Sequence, residues 1–263
     1  MTVRTVSATL APLLELLELD QPVLLTTDLI REYSMQAGVA WPVDLVVRRL
    51  RESGWLLDLK TRGVWEFAPA ARAGAFGSGD SFIELRAVLT VNADRPFTVA
   101  AESAAYLLGL ASRRPDREVI GAPDGERLPK SLSGFRLVQW TPRSPVLHKA
   151  GLPVWSAETL LAHMAARPSG FRDWPNAGEW LGQAFAEVSP GLLLSELLGR
   201  PRSAWSRAAY LADRAGRTEL AGQVLSKAPD GEGPYYLGAR RRTGSYSKAY
   251  DVIDSTGMES DRP

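Results

Sequence analysis

Apolar positions between residues 41 and 67 recur first with the period of a helix and then in short runs typical of strands. A stripe with the spacing i, i+3, i+4 and i+7 predicts an amphipathic helix, and its members are Val43, Val46, Val47 and Leu50. Pro42 suits the first turn of this helix, because the nitrogen of that position needs no intrahelical partner. Ser53-Gly54 ends the helix with the residue type best suited to a left-handed cap. The runs Trp55–Leu59 and Val64–Phe67 then predict a hairpin around a glycine-containing turn.

The opposite face of the predicted helix and the tip of the hairpin are polar and mostly basic. The helix contributes Asp44, Arg48 and Arg51 with Leu45 and Arg49 at the borders, and the tip contributes Lys60, Thr61 and Arg62. A helix followed by a basic-tipped hairpin is typical of the second half of a winged helix, whose helix enters the major groove of DNA. Arginine suits such contacts because its planar fork pairs with guanine edges or phosphates. Two alternatives stay open, since similar units bind proteins and an arginine-rich face is often only solvated.

The residues before this stretch supply the other parts of a winged helix. Leucines recur through Leu10–Leu19 with glutamates between them, which predicts a short amphipathic helix. Val23–Leu25 resembles a short strand, and Thr27 is the expected N-cap of a second helix over Asp28–Met35. The order helix, strand, helix, helix, hairpin predicts an N-terminal winged helix-turn-helix domain over residues 1–72, followed by a linker at about 69–79 that is rich in Ala and Gly.

Residues 80–263 show a different pattern, which predicts a larger C-terminal α/β domain with a small sheet and several helices. Helices are expected over 81–91, 101–110, 157–166, 174–188, 190–198, 203–216 and 218–225, and strands over 117–120, 135–140, 146–149, 235–237 and 246–253. Ser156 is the expected N-cap of the helix that begins at residue 157. The whole chain is therefore predicted to be of the α+β class.

Charge limits how strongly the first domain can bind nucleic acid by itself. The chain of 263 residues has a formal net charge of +1, and residues 1–72 contain eight Lys and Arg against nine Asp and Glu. Few phosphates would be neutralised by one copy, so binding at physiological salt would be weak. Specific DNA binding is therefore expected to need a dimer or a cooperative assembly on DNA. A second basic patch is predicted at Arg240, Arg241, Arg242 and Lys248, where a solvated loop is the alternative.

Composition argues against several chemical classes. The absence of cysteine excludes disulfides, thiol catalysis and cysteine-ligated metals. The histidines, His148 and His163, show no metal-ligand spacing and are expected to be structural, so neither a catalytic residue nor a metal site is predicted. Gly74–Gly79 lacks the spacing of a dinucleotide fingerprint, and no cofactor is expected. Neither a signal peptide nor a run of about 18 apolar residues is apparent, so a cytoplasmic protein without a membrane partner is expected.

Several stretches in both halves resemble the AbiEi-family antitoxins of bacterial toxin–antitoxin systems of a type IV-like kind. They are Leu50–Leu56, Arg62–Phe67, Glu102–Leu110, Ala166–Phe171 and Gly199–Leu211. The resemblance implies a winged-helix domain that represses the protein's own operon by cooperative binding to inverted repeats in double-stranded DNA. It also implies that the C-terminal domain neutralises a co-encoded nucleotidyltransferase-like toxin, directly or functionally, and that the protein is not an enzyme.

Carried onto this sequence, the resemblance implies that the polar helix face and the basic hairpin tip described above bind DNA. The near-neutral first half departs from the basic domain that this function would favour. A transcriptional regulator with a ligand-sensing or protein-interacting C-terminal domain remains an alternative function.

Overall fold

The computed structural model describes residues 7–72, 77–238 and 243–258. Within these residues the chain is a mixture of helices and short strands. The helices are α1 (Ala11–Asp20), α2 (Thr27–Gln36), α3 (Val43–Glu52), α4 (Ile83–Val91), α5 (Ala101–Leu107), α6 (Ala157–Ala166), α7 (Trp174–Glu187), α8 (Pro190–Leu197), α9 (Arg202–Arg214) and α10 (Thr218–Ser226). None of these helices is both long enough and apolar enough to cross a membrane.

The strands of the described residues form three small sheets. They are β1 (Leu24–Thr26), β2 (Leu56–Asp58), β3 (Val64–Phe67), β4 (Thr98–Val99), β5 (Val119–Ala122), β6 (Arg136–Gln139), β7 (Leu147–Lys149), β8 (Leu152–Val154), β9 (Tyr235–Leu237), β10 (Ser245–Ser247) and β11 (Val252–Asp254). Their orders are β1-β3-β2, β6-β5-β4-β8-β7 and β10-β11-β9. Internal packing divides the chain into two compact units, residues 1–95 with 128–133 and residues 96–127 with 134–263.

The first unit begins with α1, β1, α2 and α3, followed by the hairpin of β2 and β3. β1 and β2 both pair with β3 in antiparallel fashion, with Leu25 opposite Trp65 and Leu57 opposite Glu66. One apolar cluster joins the helices to this sheet, and its buried members include Leu13, Leu17, Leu25, Ile30, Val46, Leu50, Trp55 and Phe67. The predicted order of elements is therefore present in the structure.

Local sequence explains where the helices of this unit begin and end. Thr26 is the N-cap of α2, and its hydroxyl accepts the N–H of Leu29 at 3.1 Å. The predicted cap, Thr27, is instead the first helical residue. Gly54 follows α3 with a φ of 75°, and the N–H of Trp55 returns to the carbonyl of Leu50, which is the arrangement of a glycine-capped helix end.

α4 packs against β3 and belongs to the first compact unit. The sequence places this helix after the linker, in the second domain. The predicted domains 1–72 and 80–263 concern independent folding and stay predictions, while the packing of the folded chain divides near residue 95.

The second unit contains the five-stranded sheet, α5 to α10 and the three-stranded sheet near the C-terminus. α6 packs against α8 and α9, and the side chains from Glu158 to Ala165 are all buried. Ser156 caps α6 as predicted, since its hydroxyl accepts the N–H of Thr159. The single strand predicted over 246–253 is instead the hairpin of β10 and β11.

Candidate nucleic-acid interface

The exposed face of α3 carries the side chains that the sequence predicts to contact DNA. Val46, Val47 and Leu50 are buried in the core of the first unit, which turns the other side of α3 outward. On that side Asp44, Arg48, Arg49 and Arg51 are exposed, and Leu45 is half-buried. This face therefore carries three guanidinium groups, and the carboxylate of Asp44 lies near the N-terminus of α3.

Each of the three arginines on α3 is paired with a nearby carboxylate. Arg48 Nε lies 3.9 Å and Arg49 Nη1 lies 3.1 Å from oxygens of Glu52. Arg51 Nη2 donates to Asp58 Oδ2 at 2.7 Å, and this hydrogen bond raises the pKa of Arg51. All these side chains are roughly half exposed, so the pairs contribute little to stability. The arginines remain available to a stronger anionic partner, but two carboxylates lie on the same surface.

The tip of the hairpin is fixed by a carboxylate that sequence reasoning missed. Lys60 and Arg62 are exposed, and Thr61 is half-buried. The backbone N–H of Lys60 donates to Glu84 Oε1 of α4 at 2.8 Å, and the Thr61 hydroxyl lies 3.5 Å from Glu84 Oε2. Gly63 completes the turn with a φ of 77°. No local pattern links Glu84 to a hairpin so far away in sequence, so only the fold reveals that it positions the tip.

The second predicted basic patch is only partly described. Arg240, Arg241 and Arg242 lie outside the described residues. Lys248 is exposed in the turn between β10 and β11.

The two histidines occupy opposite environments in the second unit. His148 is exposed on β7. His163 of α6 is fully buried against Trp140 and Trp155, with ring centroids 5.3 and 5.2 Å away. Burial lowers the pKa of His163 to about 3, and the positive charges of Arg167, Arg136 and Arg200 add to this effect. Neither ring nitrogen has a hydrogen-bond partner among the described residues, so His163 is a neutral aromatic residue of the core.

A buried carboxylate at the start of α5 organises part of the second unit. Glu102 is only 5% exposed, and it forms an ion pair with Arg136 of β6. Its other oxygen accepts the backbone N–H of Arg172 at 2.5 Å. Ala101, immediately before it, has a φ of 47°, a strained left-handed conformation for a residue other than glycine. Glu102 therefore connects α5 with β6 and with the segment before α7.

Comparisons with known proteins identify much of the second unit. Residues 97–214 match the family model described as the AbiEi antitoxin C-terminal domain. This part of the chain is similar to the C-terminal domains of AbiEi antitoxins. Three of the stretches that carry the resemblance in the sequence lie within the match, and it confirms that resemblance; they are Glu102–Leu110, Ala166–Phe171 and Gly199–Leu211.

A solved structure is similar over nearly the whole chain. The crystal structure of the RV2827C protein from Mycobacterium tuberculosis is 28% identical, with a TM-score of 0.80, and the alignment covers 97% of this chain and 94% of that one. No curated protein matches this chain.

The family assignment has consequences for partners and chemistry. An antitoxin domain supports a role in a toxin–antitoxin pair, and the family implies a toxin partner in general. The AbiEi antitoxins are not a class of enzymes. Among the described residues, no group of three or more His, Asp or Glu side chains is arranged to hold a metal ion.

Proposed function

We propose that this protein is a cytoplasmic bacterial antitoxin and is not itself an enzyme. Its N-terminal unit folds as a winged helix and represses the protein's own operon by binding inverted repeats in double-stranded DNA. Its C-terminal unit neutralises a co-encoded nucleotidyltransferase-like toxin. The observation that carries this proposal is the antitoxin domain over residues 97–214.

The first unit supports the DNA-binding part of the proposal through its order of elements and its exposed side chains. α2 and α3 are consecutive, and the antiparallel hairpin follows directly, as in winged-helix domains. Arg48, Arg49 and Arg51 of α3 face solvent, as do Lys60 and Arg62 of the hairpin tip. In the proposed complex α3 lies in the major groove, while the tip contacts phosphates.

The DNA-binding proposal is tested by fluorescence anisotropy with DNA from upstream of the gene and a scrambled duplex as control. We expect cooperative binding that prefers the upstream duplex at near-physiological ionic strength, about 0.15 M. Arg62→Ala should weaken binding to both duplexes and lower the slope of log K against log salt by about one, because one phosphate contact is lost. Equal, weak binding of the unsubstituted protein to both duplexes would overturn operator recognition.

The antitoxin part of the proposal is tested by growth rescue. The neighbouring gene is expressed alone and together with the antitoxin, and growth arrest that only co-expression relieves supports the proposal. A full-length variant with Arg48→Ala and Arg62→Ala separates the two roles, because both residues lie in the first unit and toxin neutralisation is assigned to the second unit. Growth arrest that the full chain fails to relieve would rule out neutralisation of that gene product.

The carboxylates on the α3 surface favour a second candidate, a regulator whose first unit binds protein rather than DNA. Glu52 and Asp58 neutralise the arginines that DNA would need, and Glu84 adds a negative charge beside the hairpin tip. The same anisotropy titration decides between the candidates, since a protein-binding unit has no preference for the upstream duplex.

A further inference from the structure

The second unit contains a cleft whose walls are dominated by arginine. Its volume is about 340 Å³, which lies near the lower end of the range for small-molecule pockets, roughly 300–1,000 Å³. Five guanidinium groups line it, those of Arg113, Arg114, Arg117, Arg136 and Arg172. The carboxylates in the lining are those of Glu102, Asp116 and Asp173, so the lining has a formal charge of +2.

Three of the five arginines are held in place by the fold. Arg117 donates to the carbonyls of Gly134 and Phe135 at 2.9 and 2.7 Å. Arg136 donates to the carbonyl of Gly170 at 2.7 Å and pairs with the buried Glu102. The guanidinium carbon of Arg114 lies 5.0 Å from the ring centroid of Tyr106, which is within the range of a cation–π contact.

The remaining two arginines have guanidinium groups that are exposed at the cleft. Neither Arg113 nor Arg172 has a side-chain hydrogen bond or ion pair within the part of the chain that the structure describes. Arg172 is nevertheless positioned, because its backbone N–H donates to Glu102. The buried carboxylate thus places one paired and one unpaired guanidinium at the same cleft.

The positive charges in this cleft are not fully compensated by the protein. Burial lowers the pKa of Arg136, the charge of Glu102 opposes this, and the like charges of Arg172 and Arg117 lower it further. A dianion between these groups would relieve that repulsion. Arginine forks match the oxygens of a phosphate group, and hydrogen bonds between two charged groups are about twice as strong as neutral ones.

We propose that the cleft formed by Arg113, Arg136 and Arg172 around Glu102 binds a terminal phosphate group, of a free nucleotide or of a nucleic-acid end. A terminal phosphate carries up to two negative charges and presents three oxygens, which suits several guanidinium groups that line one cleft. An acidic protein surface fits less well, because the cleft is small and concave. This site is separate from the DNA-binding face proposed on α3 and does not depend on it.

Isothermal titration calorimetry of the full chain tests the site with AMP, adenosine, and a single-stranded oligonucleotide with and without a 5′-phosphate. We expect AMP to bind and adenosine not to bind. Tighter binding of the phosphorylated strand would extend the site to nucleic-acid ends, and binding of AMP alone would restrict it to free nucleotides. The site would be refuted if adenosine bound as well as AMP, or if neither AMP nor the 5′-phosphate produced any binding.

Matched variants connect the binding to the cleft. Arg113→Gln and Arg172→Gln are each expected to weaken AMP binding about tenfold, the effect of losing one hydrogen bond between charged groups. Arg127→Gln is the control, because Arg127 is an exposed arginine of the same unit outside the cleft. Unchanged AMP affinity in a double variant that carries both Arg113→Gln and Arg172→Gln would refute the assignment of AMP binding to this cleft. Operator binding by that variant should be normal, so failure of the DNA-binding proposal is distinguishable from failure of this one.

Discussion

The two arginine clusters of this protein are built in different ways, and the difference lies in their carboxylates. On α3 the partners Glu52 and Asp58 are exposed, and the pairs that they form are local in sequence. In the second unit Glu102 is buried, and it connects Arg136 and Arg172 from distant segments. Exposed pairs contribute little to stability. Removing the carboxylate of a buried pair, in contrast, leaves the positive charge of its partner without compensation. The pairs of the α3 cluster can therefore be exchanged for other partners at little cost in stability, whereas the pairs around Glu102 stabilise the fold.

The largest effect expected from this comparison is on stability. Glu102→Gln keeps the shape of the side chain but removes the charge that compensates Arg136, whose side chain is 14% exposed. We expect a loss of about 3–5 kcal/mol in the free energy of unfolding, as when one partner of a buried pair is removed. The matched change on α3, Glu52→Gln, should cost at most about 1 kcal/mol. Urea denaturation of both variants measures the contrast, and equal losses would contradict it.

A second test concerns acid stability, because burial, together with the nearby arginines, disfavours the charged form of His163. The pKa of His163 falls from its ordinary value to about 3 on folding, so below pH 6.5 the unfolded chain binds a proton that the folded chain does not. Stability is therefore lost as the pH falls, by about 2 kcal/mol at pH 5 from this residue alone. His163→Leu should abolish that part of the loss and leave stability at pH 7 similar or higher.

The control for the acid test is the exposed histidine. His148→Gln should leave the difference in unfolding free energy between pH 7 and pH 5 unchanged, since His148 is exposed. Denaturation curves at the two pH values give the comparison. If His163→Leu retained the full acid loss, protonation of His163 would not be its cause.

The features of the fold that depend on local sequence were predictable. The apolar stripe of α3, its glycine cap at Gly54 and the cap of α6 at Ser156 follow from periodicity and from residue types at helix ends. The exposed positions of Arg48 and Arg51 follow from the same stripe.

Features that depend on distant segments were not predictable. Glu102 meets Arg172 across 70 residues, and Glu84 reaches the hairpin tip across 24. Sequence reasoning also missed β4 and β8, two short strands of two and three residues. In the second unit sequence reasoning predicted only the basic patch at Arg240–Arg242 and Lys248, and it missed the cleft because the arginines of the cleft come from separate elements that only the folded chain brings together.

In the α3 cluster, removing an arginine is expected to have a moderate effect on DNA affinity. Arg48→Ala should weaken binding to the upstream duplex by about 1–3 kcal/mol and relax the preference for it, because the side chain is proposed to contact a base edge. The anisotropy titration with upstream and scrambled duplexes provides the measurement. An equal loss on both duplexes would instead identify Arg48 as a phosphate contact.

The smallest effect, and the sharpest test of the difference between the clusters, comes from removing the carboxylate on α3. Glu52 pairs with both Arg48 and Arg49, so DNA must compete with it for two guanidinium groups. Glu52→Gln should tighten binding to the upstream duplex several-fold, by up to about 1 kcal/mol, the strength of an exposed pair. The gain should shrink as salt is raised, because exposed charges are screened beyond about 10 Å at 0.1 M. Weaker DNA binding by this variant would mean that Glu52 holds the arginines in a binding-competent arrangement, so that the α3 cluster, like the one around Glu102, depends on its carboxylate.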